Sequence, residues 1–154
     1  TMLSEKDNLP LELHSFLNKL KQKFTMQMVY SLCEPNFNHE YALSKLKSEG
    51  YSIGLASNSI SNTINIMMEK TSLIKYFNYL TSAEEVEKPK PDPEIYLLTA
   101  KKLGVEPRNC LVIEDNENGI KSAERAGCNV MVVKNVLDVN YENIKTFISD
   151  LEKK

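Results

Sequence analysis

Three short stretches of this chain set chemically capable side chains just after apolar runs, or in the loop that follows. They are Ser57 and Asn58 after IGLA, Lys88 within EKPKP, and Glu114 with Asp115 after LVI. A hydroxyl beside turn amides at a helix start can hold phosphate oxygens, because unpaired N–H groups and the helix dipole favour an anion. An ammonium in a dry site stabilises a transferring phosphoryl group or an adjacent carboxylate nucleophile. A carboxylate at the end of a buried strand is costly to desolvate, and a hard cation held by oxygen ligands offsets that cost. Ser57 is thus a candidate phosphate clamp, Lys88 a candidate charge stabiliser and Asp115 a candidate Mg²⁺ ligand. Each has a simpler reading. Ser57 could cap a helix from a turn, Lys88 could be a solvated loop charge with Lys90 as its rival, and Asp115 could cap the next helix, as could Glu114, Asn116 or Glu117.

The elements that must position these groups follow from hydrophobic spacing. Leu13, Phe16, Leu17, Leu20 and Phe24 form one helical face, which Met28 and Leu32 prolong until Pro35. Ala42, Leu43 and Leu46 mark a short helix closed by Gly50, and YSIGLASNS then reads as a buried strand entering a polar turn. Ile64, Met67 and Met68 lie on another helix, with the methionine pair read as core filler; NYLTSAEEV is a weaker strand. In PDPEIYLLTAKKLG, Asp92 suits the N-cap, Pro93 the first helical position and Gly104 the stop. CLVIED is a strand, followed by a polar turn closed by Gly119. NGIKSAERAG is a helix ended by Gly127, VMVVK a strand, and Ile144, Phe147, Ile148 and Leu151 a terminal helix. Alternating strands and helices of these lengths predict a doubly wound α/β fold with a parallel sheet, whose ligands sit beyond the carboxyl ends of the strands.

Composition excludes several function classes. With 154 residues, 19 basic against 21 acidic and a net charge of -2, there is no electrostatic case for nucleic acid or an anionic membrane. No apolar run approaches the ~20 residues of a membrane span. Cys33, Cys110 and Cys128 are odd in number and lack metal-ligand spacing, which suggests reduced thiols and a cytoplasmic location. His14 and His39 read as surface or capping residues, and Cys110 as core packing.

Taken in order, GLASNS, EKPKPDPEIY and CLVIEDNENGIKSAERAG resemble motifs II, III and IV of the haloacid dehalogenase superfamily, in its branch of phosphatases and β-phosphoglucomutase-like enzymes. The resemblance runs from about Phe37 to Val133. It implies a three-layer Rossmann-like fold and a Mg²⁺-dependent phosphatase for a small phosphorylated metabolite. Ser57 resembles the phosphate-binding hydroxyl, Lys88 the motif III lysine and Asp115 the metal-binding acid. Glu114 resembles the neighbouring acid, in a water-mediated or weak ligand role, and Asn58 a residue lining the phosphate pocket. The Glu-Asp pair favours phosphoryl transfer over dehalogenation, with a phosphosugar mutase as an alternative. Residues 1–35 resemble the end of a helical cap and residues 36–154 an α/β core.

The resemblance also implies a segment that the sequence does not display, an N-terminal strand ending in DxDx(T/V) that carries the nucleophilic aspartate. Asp7, in SEKDNLP, follows no apolar strand and has no acidic partner two residues on. Thr1-Met2 reads as a trimmed start, and the expectation is an incomplete core with an open slot between the strands of GYSIGLAS and CLVIED. That slot would be filled by an upstream segment, by another chain through self-association, or by a rearranged sheet. The chain alone is expected to be inactive on phosphate esters. The competing expectation is a degenerate, non-catalytic module that binds a phosphorylated ligand or a protein; a receiver-like phosphoacceptor domain ranks last, because its groups occur in another order.

Overall fold

The computed structural model describes residues 11–153, leaving out the side chains of residues 11, 12 and 14. The expectations for Thr1-Met2, for Asp7 and for the His14 side chain lie outside the described residues. Helix α1 spans Leu11–Leu32 and stops short of Pro35, as the apolar spacing predicts. Its stripe of Leu13, Phe16, Leu20, Phe24, Met28 and Leu32 is exposed. The chain divides into two units, residues 1–34 and 35–154.

The second unit opens with α2, Phe37–Ser48, where the Asn36 side chain accepts the N–H groups of Asn38 and His39. Gly50, at φ 88°, ends it in the left-handed region that glycine favours. There follow β1 (Gly54–Ala56), α3 (Ser61–Lys70), β2 (Tyr79–Thr81) and α4 (Glu94–Leu103). The chain continues through β3 (Leu111–Glu114), α5 (Glu117–Arg125), β4 (Asn129–Val132) and α6 (Tyr141–Glu152). Helix α4 begins one residue later than the capping pattern predicts, with Pro93 as N-cap, yet Asp92 Oδ1 still accepts the Glu94 N–H at 3.1 Å. Gly119 does not close the turn after β3; it lies buried inside α5.

Among the described residues the strands form two separate parallel pairs, β1 with β2 and β3 with β4, and not one continuous sheet. Both pairs lie in one layer between helices. On one face Ala42 and Leu46 of α2 and Ile144 of α6 enclose Met131 and Val133, with Ile53, Leu111 and Ile113 packed against them. On the other, Ile95 and Tyr96 of α4 and Ala123 and Ala126 pack on Ala56, Val112 and Val130. Alternation along β3, with Leu111 and Ile113 to one side and Val112 to the other, is the two-sided burial that its uniform apolarity predicts. Helix α4 lies so close to β1 that a Cβ on Gly54 would fall 2.8 Å from Thr99 Cγ2. Among the described residues, no helix is long and apolar enough to cross a membrane.

The three cysteines are free and half-buried. Burial pushes the Cys128 thiol up to about 11, with the neighbouring Cys110 adding to the effect. Two units above the ordinary 9.0 leaves a thiolate fraction roughly a hundred-fold lower at neutral pH. Iodoacetamide labelling followed by mass spectrometry should therefore modify Cys128 slowly at pH 7.5, and progressively faster as pH rises towards 11. Rapid labelling at neutral pH would contradict this placement.

Candidate active site

The loop between β2 and α4 is rich in proline, so its own backbone offers few hydrogen bonds to hold it. Side chains from the flanking elements do so instead. Glu94, in the first turn of α4, accepts the N–H groups of Glu87 and Lys88 at 3.1 and 3.0 Å. Ser122 Oγ of α5 donates to the Asp92 carbonyl at 2.6 Å, and Arg125 Nη1 to that of Pro91 at 3.1 Å. Asn58 Oδ1 accepts the Lys90 N–H at 3.3 Å, tying this loop to the turn after β1.

The loop so held sends Lys90 inward and Lys88 outward. Lys90 Nζ donates to Glu114 Oε2 at 2.8 Å, to the Tyr96 hydroxyl at 2.8 Å and to the Ala56 carbonyl at 3.2 Å. It also lies 4.6 Å from the centre of the Tyr96 ring. The carboxyl ends of β1 and β3 are thereby joined by one side chain. Lys88 is exposed and does not line the cavity here. The ammonium in this cluster is that of Lys90 and not of Lys88, whose backbone N–H is held by Glu94 and whose side chain is in solvent.

Glu114 is the centre of the cluster. Its Oε2 accepts from Lys90 and, at 2.7 Å, from the Tyr96 hydroxyl; its Oε1 accepts the N–H groups of Asp115 and Asn116, each at 3.2 Å. Burial pushes its carboxyl up, but the Lys90 and Tyr96 hydrogen bonds, the Lys90 charge and the Asn116 N–H together outweigh that and hold it below the ordinary carboxylate range. Tyr96 moves the other way: burial, then the hydrogen bond to Glu114, raise its phenol well above its usual value. The two side chains of the ion pair are only 10% and 13% exposed. A pair so desolvated persists because further hydrogen bonds satisfy its remaining donors and acceptors.

This cluster borders a cavity of about 510 Å³. Ser57, Asn58, Asn116 and Asn118 supply its other polar lining, and Leu55, Ile64, Met67 and Met68 an apolar wall. Met67 and Met68, read from sequence as core filler, thus face the cavity. Ser57 Oγ accepts the Ser59 N–H at 3.1 Å, so it makes a serine turn while also facing the cavity, but the N-cap of α3 is Ile60 and not Ser57. Asp115 follows Glu114 in the chain and is exposed, outside the lining. Ser57, Asn58 and Glu114 are therefore brought together, with Asp115 adjacent in sequence and Lys88 outside. His39 is far from this chemistry, with Nε2 3.2 Å from the Val136 carbonyl.

Sequence reasoning held Lys90 only as the rival to Lys88 and missed Tyr96. The available signal was position: Lys90 immediately precedes the Pro91-Asp92-Pro93 turn into α4, so the helix that carries Tyr96 constrains it more closely than Lys88. A magnesium ion needs oxygen donors, and the Glu114-Asp115 pair offers only oxygen. Among the described residues, no three His, Cys, Asp or Glu side chains converge on a common metal position. These acids fit a share of a magnesium shell, with Asp115 the carboxylate not engaged by Lys90.

The haloacid dehalogenase-like hydrolase family matches residues 2–133. A phosphorylated carbohydrates phosphatase of Thermotoga maritima is 31% identical over 131 residues, covering 80% of this chain and 61% of that protein. A phosphoglycolate phosphatase of Salmonella choleraesuis is 35% identical over 86 residues, covering 56% of this chain and 34% of that one. The chain thus spans between about a third and three fifths of the length of these curated relatives. In fold, it is similar to the crystal structure of β-phosphoglucomutase from Clostridium difficile, with a TM-score of 0.80 at 25% identity over 97% of this chain and 73% of that one. With the α/β layers, the lysine–glutamate pair and the match over most of the chain in agreement, this protein belongs to the haloacid dehalogenase-like hydrolase family.

Proposed function

We propose that this chain supplies the phosphate-binding and charge-stabilising part of a Mg²⁺-dependent phosphatase acting on a small phosphorylated metabolite. The observation that carries the reading is the convergence of Lys90, Glu114, Ser57 and Asn58 on one cavity at the carboxyl ends of β1 and β3. Ser57 and the N–H groups of its turn receive phosphoryl oxygens, Asn58 holds the Lys90 backbone in place, and the Lys90 ammonium offsets negative charge as the phosphoryl group transfers. Asp115, with Glu114 beside it, would hold the magnesium ion, which when bound supplies positive charge to phosphoryl oxygens.

The attacking carboxylate, in this reading, comes from an extended segment seated between β1 and β3, whose facing edges are bridged by Lys90 and not by backbone pairing. Its oxygen bonds to phosphorus, the alcohol of the substrate leaves with a proton from a second acid on that segment, and water then releases phosphate. Residues 1–35 are read as the end of a helical cap, and the three free cysteines suit a cytoplasmic protein. The named phosphatases among its relatives favour hydrolysis; the β-phosphoglucomutase likeness favours transfer between sugar hydroxyls as the second reading.

Phosphate release from a panel of phosphoglycolate, hexose phosphates and FMN tests this. The 154-residue chain is expected to be inactive or nearly so with Mg²⁺, and a longer protein carrying the strand that ends in DxDx(T/V) to turn over, with at least ten-fold loss in Asp115→Asn, on the order of the loss when a metal-site group is removed. Robust hydrolysis by the 154-residue chain, abolished by Asp115→Asn, would defeat the assignment of the nucleophile.

A further inference from the structure

Lys90 rises from a proline-flanked loop and Glu114 ends a three-dimensional edge made by β3, so neither element fixes where two flexible side chains meet. Tyr96 sits on α4, is 8% exposed, and touches both. Its hydroxyl accepts from Lys90 Nζ at 2.8 Å and donates to Glu114 Oε2 at 2.7 Å, while the face of its ring lies near the ammonium. A phenylalanine would fill the same space and keep the ring contact, so packing accounts for the ring but not for the oxygen. An ammonium has three protons, and the hydroxyl takes one, with Ala56 and Glu114 taking the other two. A hydroxyl that accepts from a cation and donates to an anion is polarised in the same sense by both, which strengthens each bond.

We propose that Tyr96 is a positioning residue, whose hydroxyl holds the Lys90 ammonium and the Glu114 carboxylate in the arrangement that borders the cavity. Calling that cavity a phosphate pocket rests on the function proposed above; the positioning role does not need turnover to be measured.

Competitive acylation of lysines by acetic anhydride, read by mass spectrometry, tests this on the intact chain. In Tyr96→Phe, Lys90 should react about tenfold faster, the scale of a lost charge-assisted hydrogen bond. Lys102 and Lys145, paired with Glu85 and Glu49, should react at wild-type rates. An unchanged Lys90 rate overturns the proposal. So does an equal rise at all three lysines, which would mean that the hydroxyl supports the fold and not the pair. Inorganic phosphate added to the wild-type chain separates the two readings. If phosphate fails to slow Lys90 acylation while Tyr96→Phe accelerates it, the pocket assignment falls and the positioning role stands.

Discussion

Lys90→Ala should lower the unfolding free energy by about 3 kcal/mol, near the lower end of the cost of removing one partner from a buried ion pair. The cost arises less from the lost attraction than from what is left behind, a Glu114 carboxylate 13% exposed that keeps only Tyr96 and two backbone donors. Lys88→Ala, two residues away, removes an exposed side chain whose backbone N–H still reaches Glu94, and should change stability by less than about 0.5 kcal/mol. Urea denaturation of the two variants checks this. Equal stability, or the reverse order, would show that Lys88 occupies the cluster. The pH dependence adds a second reading. Because the folded Glu114 carboxyl lies below its ordinary value of 4.5, the stability it contributes is complete above about that pH and is lost as pH falls through the lowered value. Lys90→Ala should flatten this acid limb, since the charge that lowers the carboxyl is gone.

Gly119→Ala is expected to destabilise the chain by about 2 kcal/mol, although alanine is ordinarily the better helix former by about 1 kcal/mol. A Cβ at this position would lie 2.1 Å from the Glu114 carboxyl carbon and from Oε2, closer than any contact allows. A glutamate tip is normally free to move aside, but this one is fixed by Lys90, Tyr96 and two backbone N–H groups, and shifting it breaks charge-assisted bonds worth about 1.5–3 kcal/mol each. The helical gain offsets only part of that loss. Gly104→Ala provides the contrast: at φ 71° and with open space around it, it should cost about 1 kcal/mol from backbone strain alone. A Gly119→Ala chain as stable as wild type in urea would show that Glu114 is not held as tightly as its four hydrogen bonds imply.

Much of the architecture was legible in the order of residues, because local rules act over a few positions. The apolar period placed α1 and α6, and the capping residues α4, to within a few residues, and Gly50, Gly104 and Gly127 marked the ends of helices by the positive φ that each adopts. The parallel arrangement followed from strands and helices that alternate along the chain. Strand lengths were overread: YSIGLASNS contains only Gly54–Ala56 as strand, since a ladder requires a paired neighbour and composition cannot count neighbours.

For the site, the sequence by itself determined the chemistry on offer: a hydroxyl, ammonium groups and two carboxylates, each following an apolar run, together with family motifs that carry a phosphoryl-transfer expectation. It could not choose between Lys88 and Lys90, two residues apart in a loop where nothing periodic distinguishes them. Only the tertiary structure decided, because the choice depends on Glu94 holding one backbone, Asn58 holding the other, and Tyr96 waiting on a helix face for the ammonium. Glu114 and Gly119 are a second case. Their adjacency in space, which turns a helix-breaking glycine into a requirement, is a contact between a strand end and the first turn of the following helix that no spacing rule announces.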